Sequence, residues 1–170
     1  MGNQRLRELC ETALFVALVF LGIFIVRIPG PFGYLHFGDC MIILAVIMLG
    51  TKRGAFAGGV GAAIADLLSG FPVWAIPSLV IKAAMAVAIG ALLHTNLLKE
   101  HRVGRRIACS SIGGLVQMVL YPLFFLFMFG KGAMIADIAP ITLQTVFGVA
   151  AGVALAEALE KTPLRAKMVN

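Results

Sequence analysis

Charged residues are scarce in this chain. They make up 13% of its 170 residues, whereas 61% of the residues are hydrophobic and the mean hydropathy is +1.00. A soluble domain has about a quarter charged residues and about half apolar residues. A single core of this size cannot bury so much apolar surface, so lipid must act as the solvent. The composition therefore excludes an ordinary soluble domain and indicates an integral membrane protein.

Catalytic and metal-binding motifs are also missing. The sequence has no Gly-x-x-x-x-Gly-Lys-Ser/Thr loop, so the chain does not hydrolyse ATP alone. It has no His-Glu-x-x-His zinc site and no Gly-x-Ser-x-Gly elbow. Its three cysteines, Cys10, Cys40 and Cys109, lack metal-ligand spacing. We therefore expect a non-catalytic protein without a cofactor or a metal site.

The basic residues lie between the apolar segments and form no continuous stripe, although they give the chain a net charge of +6. This distribution excludes a nucleic-acid-binding surface. If the N-terminus is cytoplasmic, eleven of the fourteen Lys and Arg residues fall on the cytoplasmic side. That bias follows the positive-inside rule. It predicts an even number of spans with both termini in the cytoplasm.

Six apolar segments predict an all-α integral membrane protein, a compact bundle in one domain covering residues 1–170. A spanning helix needs about 17–25 residues, so the second segment is short. Asp39 and Asp137 each precede an apolar run, and we predict that each is a helix N-cap. The predicted helices cover residues 11–27, 39–50, 54–68, 76–94, 107–129 and 137–159.

Two opposite charges flank one predicted hairpin. Asp66 lies near the end of the third apolar segment, and Lys82 lies inside the fourth. A charge within a membrane costs roughly 2.5–3.5 kcal/mol on insertion scales, so such residues usually face a cavity or each other. The two residues therefore form a structural ion pair or contact a ligand.

Most polar residues within the apolar segments lie in the half of the membrane that is predicted to face outward. Gln117 lies nearer the middle, and the inner half is almost wholly apolar. A channel or a proton relay needs polar groups along its whole path. This distribution instead predicts a pocket that opens outward and holds a small, polar, ring-shaped ligand. Its predicted substrate-binding residues are Arg27, Tyr34, His36, Asp66, Trp74, Lys82, Tyr121 and Gln144.

Most of these residues also have a structural interpretation. Trp74 and Tyr34 fit an aromatic belt at the level of the lipid headgroups. Arg27 fits headgroup binding, and His36 fits a solvated loop. Tyr121, like Gln144, can satisfy backbone groups.

Small residues occur at helical spacing in several segments. The third is rich in glycine and alanine, and the first carries Ala13-x-x-x-Ala17. Small residues let helix backbones approach closely in a membrane. Such a face serves either packing within the bundle or docking onto another membrane subunit.

The run from His36 to Gly90 resembles the substrate-binding S components of energy-coupling factor (ECF) vitamin transporters. The branch most resembled includes the riboflavin-type and the hydroxymethylpyrimidine- or pyridoxine-type proteins. One departure is Thr51-Lys52, where relatives often have proline. The matching elements are Gly38-Asp39, Leu49-Gly50, Gly54 with the other glycines of the third helix, Asp66-Leu67-Leu68-x-Gly70, Trp74 and Ile81-Lys82.

This resemblance implies a multi-pass protein of the bacterial plasma membrane that holds a vitamin near its extracellular side. It implies that Ala13 and Ala17 contact a transmembrane T subunit and that two ATPase subunits supply energy. The chain is short, so a one-ring substrate such as hydroxymethylpyrimidine or pyridoxine is favoured over riboflavin. An S component for riboflavin or pantothenate is the alternative within the family. A non-transport membrane scaffold is the alternative from another class, and a membrane enzyme is disfavoured.

Overall fold

A computed structural model describes residues 2–25, 27–29, 34–95 and 101–162. This part of the chain forms six helices and one antiparallel two-stranded ribbon. In chain order the elements are α1 (Gly2–Phe24), β1 (Arg27–Pro29), β2 (Tyr34–His36), α2 (Gly38–Leu49), α3 (Thr51–Leu68), α4 (Pro72–His94), α5 (Arg102–Phe129) and α6 (Lys131–Glu160).

All six predicted helices are present, and the largest boundary differences lie at their starts. Hydropathy marks only the apolar part of a helix, whereas polar or glycine-containing turns extend several of these helices beyond it. α6 begins after Gly130, whose φ is 86°, so the prediction that Asp137 caps this helix is wrong. Asp39 lies within the first turn of α2, and Phe37 occupies the N-cap position. The prediction that Asp39 is an N-cap is therefore also wrong.

Successive helices run antiparallel. In α3 and α4, Gly59 lies against Ala83 near the centre and Gly90 lies against Thr51 at one end. We call the end that carries the α3–α4 turn the upper end, and the opposite one the lower end. α1 begins and α6 ends at the lower end, because each successive helix reverses direction.

Glycines of α3 bring its backbone close to three neighbouring helices. A Cβ atom at Gly54 would lie 2.7 Å from the Cα of Val46, and one at Gly61 would lie 2.8 Å from the carbonyl oxygen of Val16. Neither position has room for a larger side chain. The small residues of α3 therefore serve packing within the bundle, as is usual where lipid removes the hydrophobic force between helices.

In the described part of the chain, three helices are long and apolar enough to cross a membrane, namely α4, α5 and α6, while α2 is a shorter apolar helix. α1 and α3 carry charged residues near their first turns. Large apolar side chains are exposed on the surface, including Ile76 at 77% and Phe127 at 80%. Such a surface suits lipid. The number of spans stays a prediction.

α2 begins in the interior of the bundle. Its first residue, Gly38, packs against Gly22 close to the end of α1. Asp39 reaches Lys82, which lies ten residues into α4 and so about 15 Å from the start of that helix. The upper turns of α4, α5 and α6 therefore extend beyond the first turn of α2.

Candidate functional site

A fully buried ion pair lies where α2 meets α4. The Lys82 Nζ and Asp39 Oδ1 atoms are 2.5 Å apart, and the two residues are 0% and 1% exposed. Asp39 sits in the first turn of α2, where the positive end of the helix dipole favours a carboxylate. A buried charge is tolerated only when it is paired and hydrogen-bonded. This arrangement supplies both conditions.

Gln117 of α5 bridges the two charges. Its Oε1 atom accepts a hydrogen bond from Lys82 Nζ at 2.6 Å. Its Nε2 atom donates to Asp39 Oδ2 at 2.7 Å and to Thr145 Oγ1 at 2.8 Å. Gln144 of α6 also donates to Asp39 Oδ2, at 3.0 Å. We call these five residues, Asp39, Lys82, Gln117, Gln144 and Thr145, the buried polar network.

The buried polar network fixes the orientation of each member. Thr145 donates its hydroxyl proton to the Ile141 carbonyl at 2.7 Å, so its oxygen is left to accept from Gln117. The Gln117 amide must therefore face Lys82 with its oxygen and Asp39 with its nitrogen. These bonds hold four helices, α2, α4, α5 and α6, in one register.

The ribbon connects to this network through its second strand. The backbone N–H of His36 donates to Gln144 Oε1 at 3.4 Å. The Nδ1 atom of the same residue accepts from the Gly38 N–H at 3.2 Å, which satisfies a free donor at the start of α2. β1 and β2 pair in the register Arg27–His36. The ribbon is thus positioned beside the network at the start of α2.

An aromatic cluster adjoins the network towards the upper end. Trp74 of α4 has ring-centroid distances of 4.5 Å to Phe125, 5.1 Å to Phe124, 6.0 Å to Phe129 and 6.3 Å to Tyr121. These are ordinary separations for interacting rings. We call these five residues the aromatic cluster.

Tyr121 joins the two groups. Its hydroxyl donates to Ser78 Oγ at 3.0 Å, and its ring centroid lies 5.1 Å from Lys82 Nζ. That distance is within the range of a cation–π interaction. The ammonium group therefore touches both the polar network and the aromatic cluster. Flat apolar surfaces beside a few fixed donors and acceptors are typical of sites for small polar rings.

The structure brings five of the predicted site residues together, namely His36, Trp74, Lys82, Tyr121 and Gln144. Arg27 and Tyr34 belong to the ribbon through their backbones, and their side chains lie outside the described residues. The functional role of all these residues stays a prediction.

Asp66 is not the ion-pair partner of Lys82, which pairs with Asp39, so the first of the two predicted alternatives for these residues is wrong. Gly59 of α3 lies against Leu79 and Ala83, on either side of Lys82. Asp66 follows Gly59 by seven residues, which places it about 10 Å nearer the upper end. Asp66 is buried there, and its carbonyl oxygen accepts a hydrogen bond from the Phe71 N–H. The register between α3 and α4 therefore separates the two charges.

Three members of the network were absent from the predicted site, namely Asp39, Gln117 and Thr145. A carboxylate directly before an apolar run has two interpretations, a helix cap and an intramembrane charge, and only the second applies to Asp39. Gln117 offered a signal because it is a polar residue deep within an apolar segment. Thr145 gave no such signal, since threonine is common in membrane helices.

A second set of charges lies at the lower end. Glu11 of α1 accepts from Arg7 and from Arg53 of α3, each at 3.0 Å. Arg106 of α5 pairs with Glu157 and Glu160 of α6, and Arg102 also pairs with Glu160. We call these residues the lower ion pairs. They connect α1 to α3 and α5 to α6.

Ala13 and Ala17 are both exposed on α1. Their side chains are therefore not used for packing within the bundle, which was the structural interpretation of this pair. The α1 face that they share is free within the described part of the chain.

Two comparisons with known proteins, one of sequence and one of structure, match S components of ECF transporters. The family described as "ECF-type riboflavin transporter, S component" matches residues 3–161. A Pyrococcus woesei protein, described as an uncharacterized protein in gap 3'region, is 37% identical over 139 residues, which cover 81% of this chain and 90% of that protein. A solved structure of the S component of a bacterial ECF transporter has a TM-score of 0.76 and 19% identity, and the match covers 95% of this chain and 98% of that one. The structural likeness shows a shared fold.

Proposed function

The chain belongs to the family of ECF-type riboflavin transporter S components, and we propose that it captures a small heterocyclic vitamin or vitamin precursor at the extracellular side of the plasma membrane. S components are substrate-binding subunits of vitamin transporters and are not catalytic. In this proposal, a T subunit and two ATPase subunits complete an importer, and the ATPases supply the energy.

One observation carries the proposal: the contact of the aromatic cluster with the buried polar network. Trp74 and Tyr121 offer ring faces, and Lys82 and Gln144 offer a charged donor and an amide. A planar heterocycle needs both kinds of surface, one for stacking and one for its ring nitrogens and substituents. Residues at the lower end offer no comparable combination within the described residues.

The charge distribution supports an extracellular position for this site. Arg53, Arg102, Arg105 and Arg106 lie at the lower end, in agreement with a cytoplasmic location of that end. We propose that both termini are cytoplasmic and that all six helices cross the membrane. The aromatic cluster would then lie near the extracellular surface, and the ribbon would close over the substrate.

Hydroxymethylpyrimidine and pyridoxine are the first candidate substrates. Each has a single ring with hydroxyl or amino substituents, which can pair with the polar side chains beside Tyr121. Riboflavin is the second candidate, because it is the substrate in the family's description.

The sequence provides a direct assay. Trp74 is the single tryptophan of the chain and belongs to the aromatic cluster, so its fluorescence should respond to a ring that enters the site. The detergent-solubilised protein would be titrated with hydroxymethylpyrimidine, pyridoxine, riboflavin and pantothenate. Saturable quenching by one compound, with a matching value from calorimetry, supports the proposal. If no heterocycle binds, the proposal fails and a membrane scaffold becomes the better interpretation.

We further propose that Ala13 and Ala17 form the docking face for the T subunit. Because both are exposed, leucine at these positions would obstruct a close helix–helix contact without disturbing the bundle. The Ala13→Leu/Ala17→Leu variant should lose co-purification with the T and ATPase subunits while it retains vitamin binding. Ala150→Leu, at an exposed position of α6, is the matched control. Normal co-purification of the double variant would contradict this assignment.

A further inference from the structure

Asp137 of α6 has a buried carboxylate oxygen that the fold does not use. Its Oδ2 atom is inaccessible to solvent and has no hydrogen-bond partner among the described residues. Leaving a buried acceptor unsatisfied costs about 1–3 kcal/mol, and more for a charged group. Buried polar atoms of this kind are uncommon in folded proteins and require an explanation.

The position of Asp137 on α6 directs it towards the candidate site. Ala133 precedes it by four residues and packs with Trp74 and Phe125. Gln144 follows it by seven residues and belongs to the buried polar network. Residues separated by four and by seven positions share one face of a helix. Asp137 therefore lies between the aromatic cluster above and the network below.

The surroundings provide no structural role for this carboxylate. α6 begins six residues earlier, at Lys131, so Asp137 does not cap the helix. Lys82 already pairs with Asp39 and Gln117, so it does not need Asp137 as a counter-charge.

We propose that Asp137 is a substrate-binding residue, which accepts a hydrogen bond from a hydroxyl, amino or protonated ring-nitrogen group of the vitamin. This inference rests on the proposed function and adds a requirement to it: the bound ring must present a donor towards α6. A site that is built to hydrogen-bond one substrate group strongly rejects analogues that lack the group, because the polar atom is then left unpaired.

Paired ligands test this requirement. Trp74 fluorescence would be titrated with pyridoxine against 4-deoxypyridoxine, with 4-amino-5-hydroxymethyl-2-methylpyrimidine against 4-amino-2,5-dimethylpyrimidine, and with riboflavin against lumiflavin. For the compound that binds, the Asp137→Ala variant should bind at least tenfold more weakly than the wild type. If the missing hydroxyl is the donor, the variant should also no longer distinguish the two members of the pair. Thr142→Val is the control on α6, because the Thr142 hydroxyl already donates to the Ile138 carbonyl.

Thermal unfolding without ligand gives an independent readout. Removing a carboxylate that has one buried, unpaired oxygen should stabilise the empty protein, so Asp137→Leu is expected to raise its Tm by about 2–4 °C. A residue with a structural role would instead lower the Tm when replaced. The same variant should lose the Tm increase that the vitamin produces in the wild type.

The outcomes separate the two proposals. Tight vitamin binding by the wild type with unchanged affinity in Asp137→Ala overturns the role of Asp137 and leaves the proposed function standing. A lowered Tm of Asp137→Leu also overturns it. Failure of every ligand to bind the wild type overturns the proposed function, and the role of Asp137 with it.

Discussion

The two charged regions of this protein use similar groups in different ways. The lower ion pairs consist of arginines and glutamates in direct contact, and several are partly exposed, such as Arg102 at 49%. The buried polar network contains one lysine and one aspartate, both excluded from solvent, and three neutral side chains that share their hydrogen bonds. We expect the exposed pairs of the first arrangement to tolerate loss of a member, although Arg106 and Glu160 are largely buried. We expect the second arrangement to depend on all of its members.

In the proposed function, this difference separates anchoring from recognition. Exposed ion pairs contribute little stability, about 0–1 kcal/mol each, and they suit the boundary of a membrane where arginines can remain near water. A buried pair is costly to create and is weak evidence for stability. Its position beside an aromatic cluster fits the binding role that we propose for it. Four predictions test this contrast.

The largest expected effect follows removal of the Asp39 carboxylate. Asp39→Ala leaves the Lys82 ammonium buried without its counter-charge, and breaking such a pair costs about 3–5 kcal/mol. Thermal unfolding in detergent would show a large fall in Tm. Asp39→Leu combined with Lys82→Met should recover much of the loss, because it removes both charges. If Asp39→Ala were as stable as the wild type, the ion pair would make no contribution to the stability of the fold.

A methyl group next to the network should have a smaller effect. In Gly148→Ala the new Cβ would lie 2.7 Å from the Asp39 Cβ, so α2 and α6 must separate. Overpacking of this kind costs about 1–3 kcal/mol. Gly104→Ala near the lower end is the matched control, since its nearest neighbour would be at 3.5 Å. Equal Tm values for the two variants would contradict the tight packing at Asp39.

Replacement of Lys82 addresses binding. Lys82→Ala should weaken vitamin binding at least tenfold, or about 1.4 kcal/mol, as measured by Trp74 fluorescence. Arg53→Ala, in the lower ion pairs, should leave the affinity unchanged. Unchanged affinity in Lys82→Ala together with a lowered Tm would assign the buried pair to structure alone.

The smallest effect is expected at Arg102. Its side chain is half exposed, so Arg102→Ala should lower the free energy of unfolding by less than about 1 kcal/mol. High salt should reduce even this difference, because screening weakens exposed ion pairs. A loss comparable to that of Asp39→Ala would remove the contrast between the two regions.

Much of the fold could be predicted from the sequence, because each helix has its own apolar segment and small-residue pattern. The first residues of the helices were harder to predict. Gly130 marks the beginning of α6 through its positive φ angle, which a hydropathy pattern does not reveal. The ribbon was also missed, since Arg27–Pro29 and Tyr34–His36 are short and lie in a segment rich in glycine and proline.

The site was only partly predictable for a different reason. Depth counting along single helices placed Lys82, Tyr121 and Gln144 at compatible levels, and the structure brings them together. Which carboxylate pairs with Lys82 depends instead on how far each helix is shifted along its neighbours, and this shift cannot be read from the sequence of one segment. Because α2 starts in the interior, Asp39 rather than Asp66 reaches Lys82.

The long separations within the buried polar network have a consequence for biosynthesis. Asp39 lies 43 residues before Lys82, 78 before Gln117 and 105 before Gln144. Chains are synthesised from the N-terminus, so the ribosome delivers the aspartate first and its amide partners much later. A nascent chain that ends before α6 holds its charged pair with an incomplete set of hydrogen bonds. Arrival of the last helix therefore completes both the fold and the site, and truncated chains should be recognised as unfinished by membrane quality control.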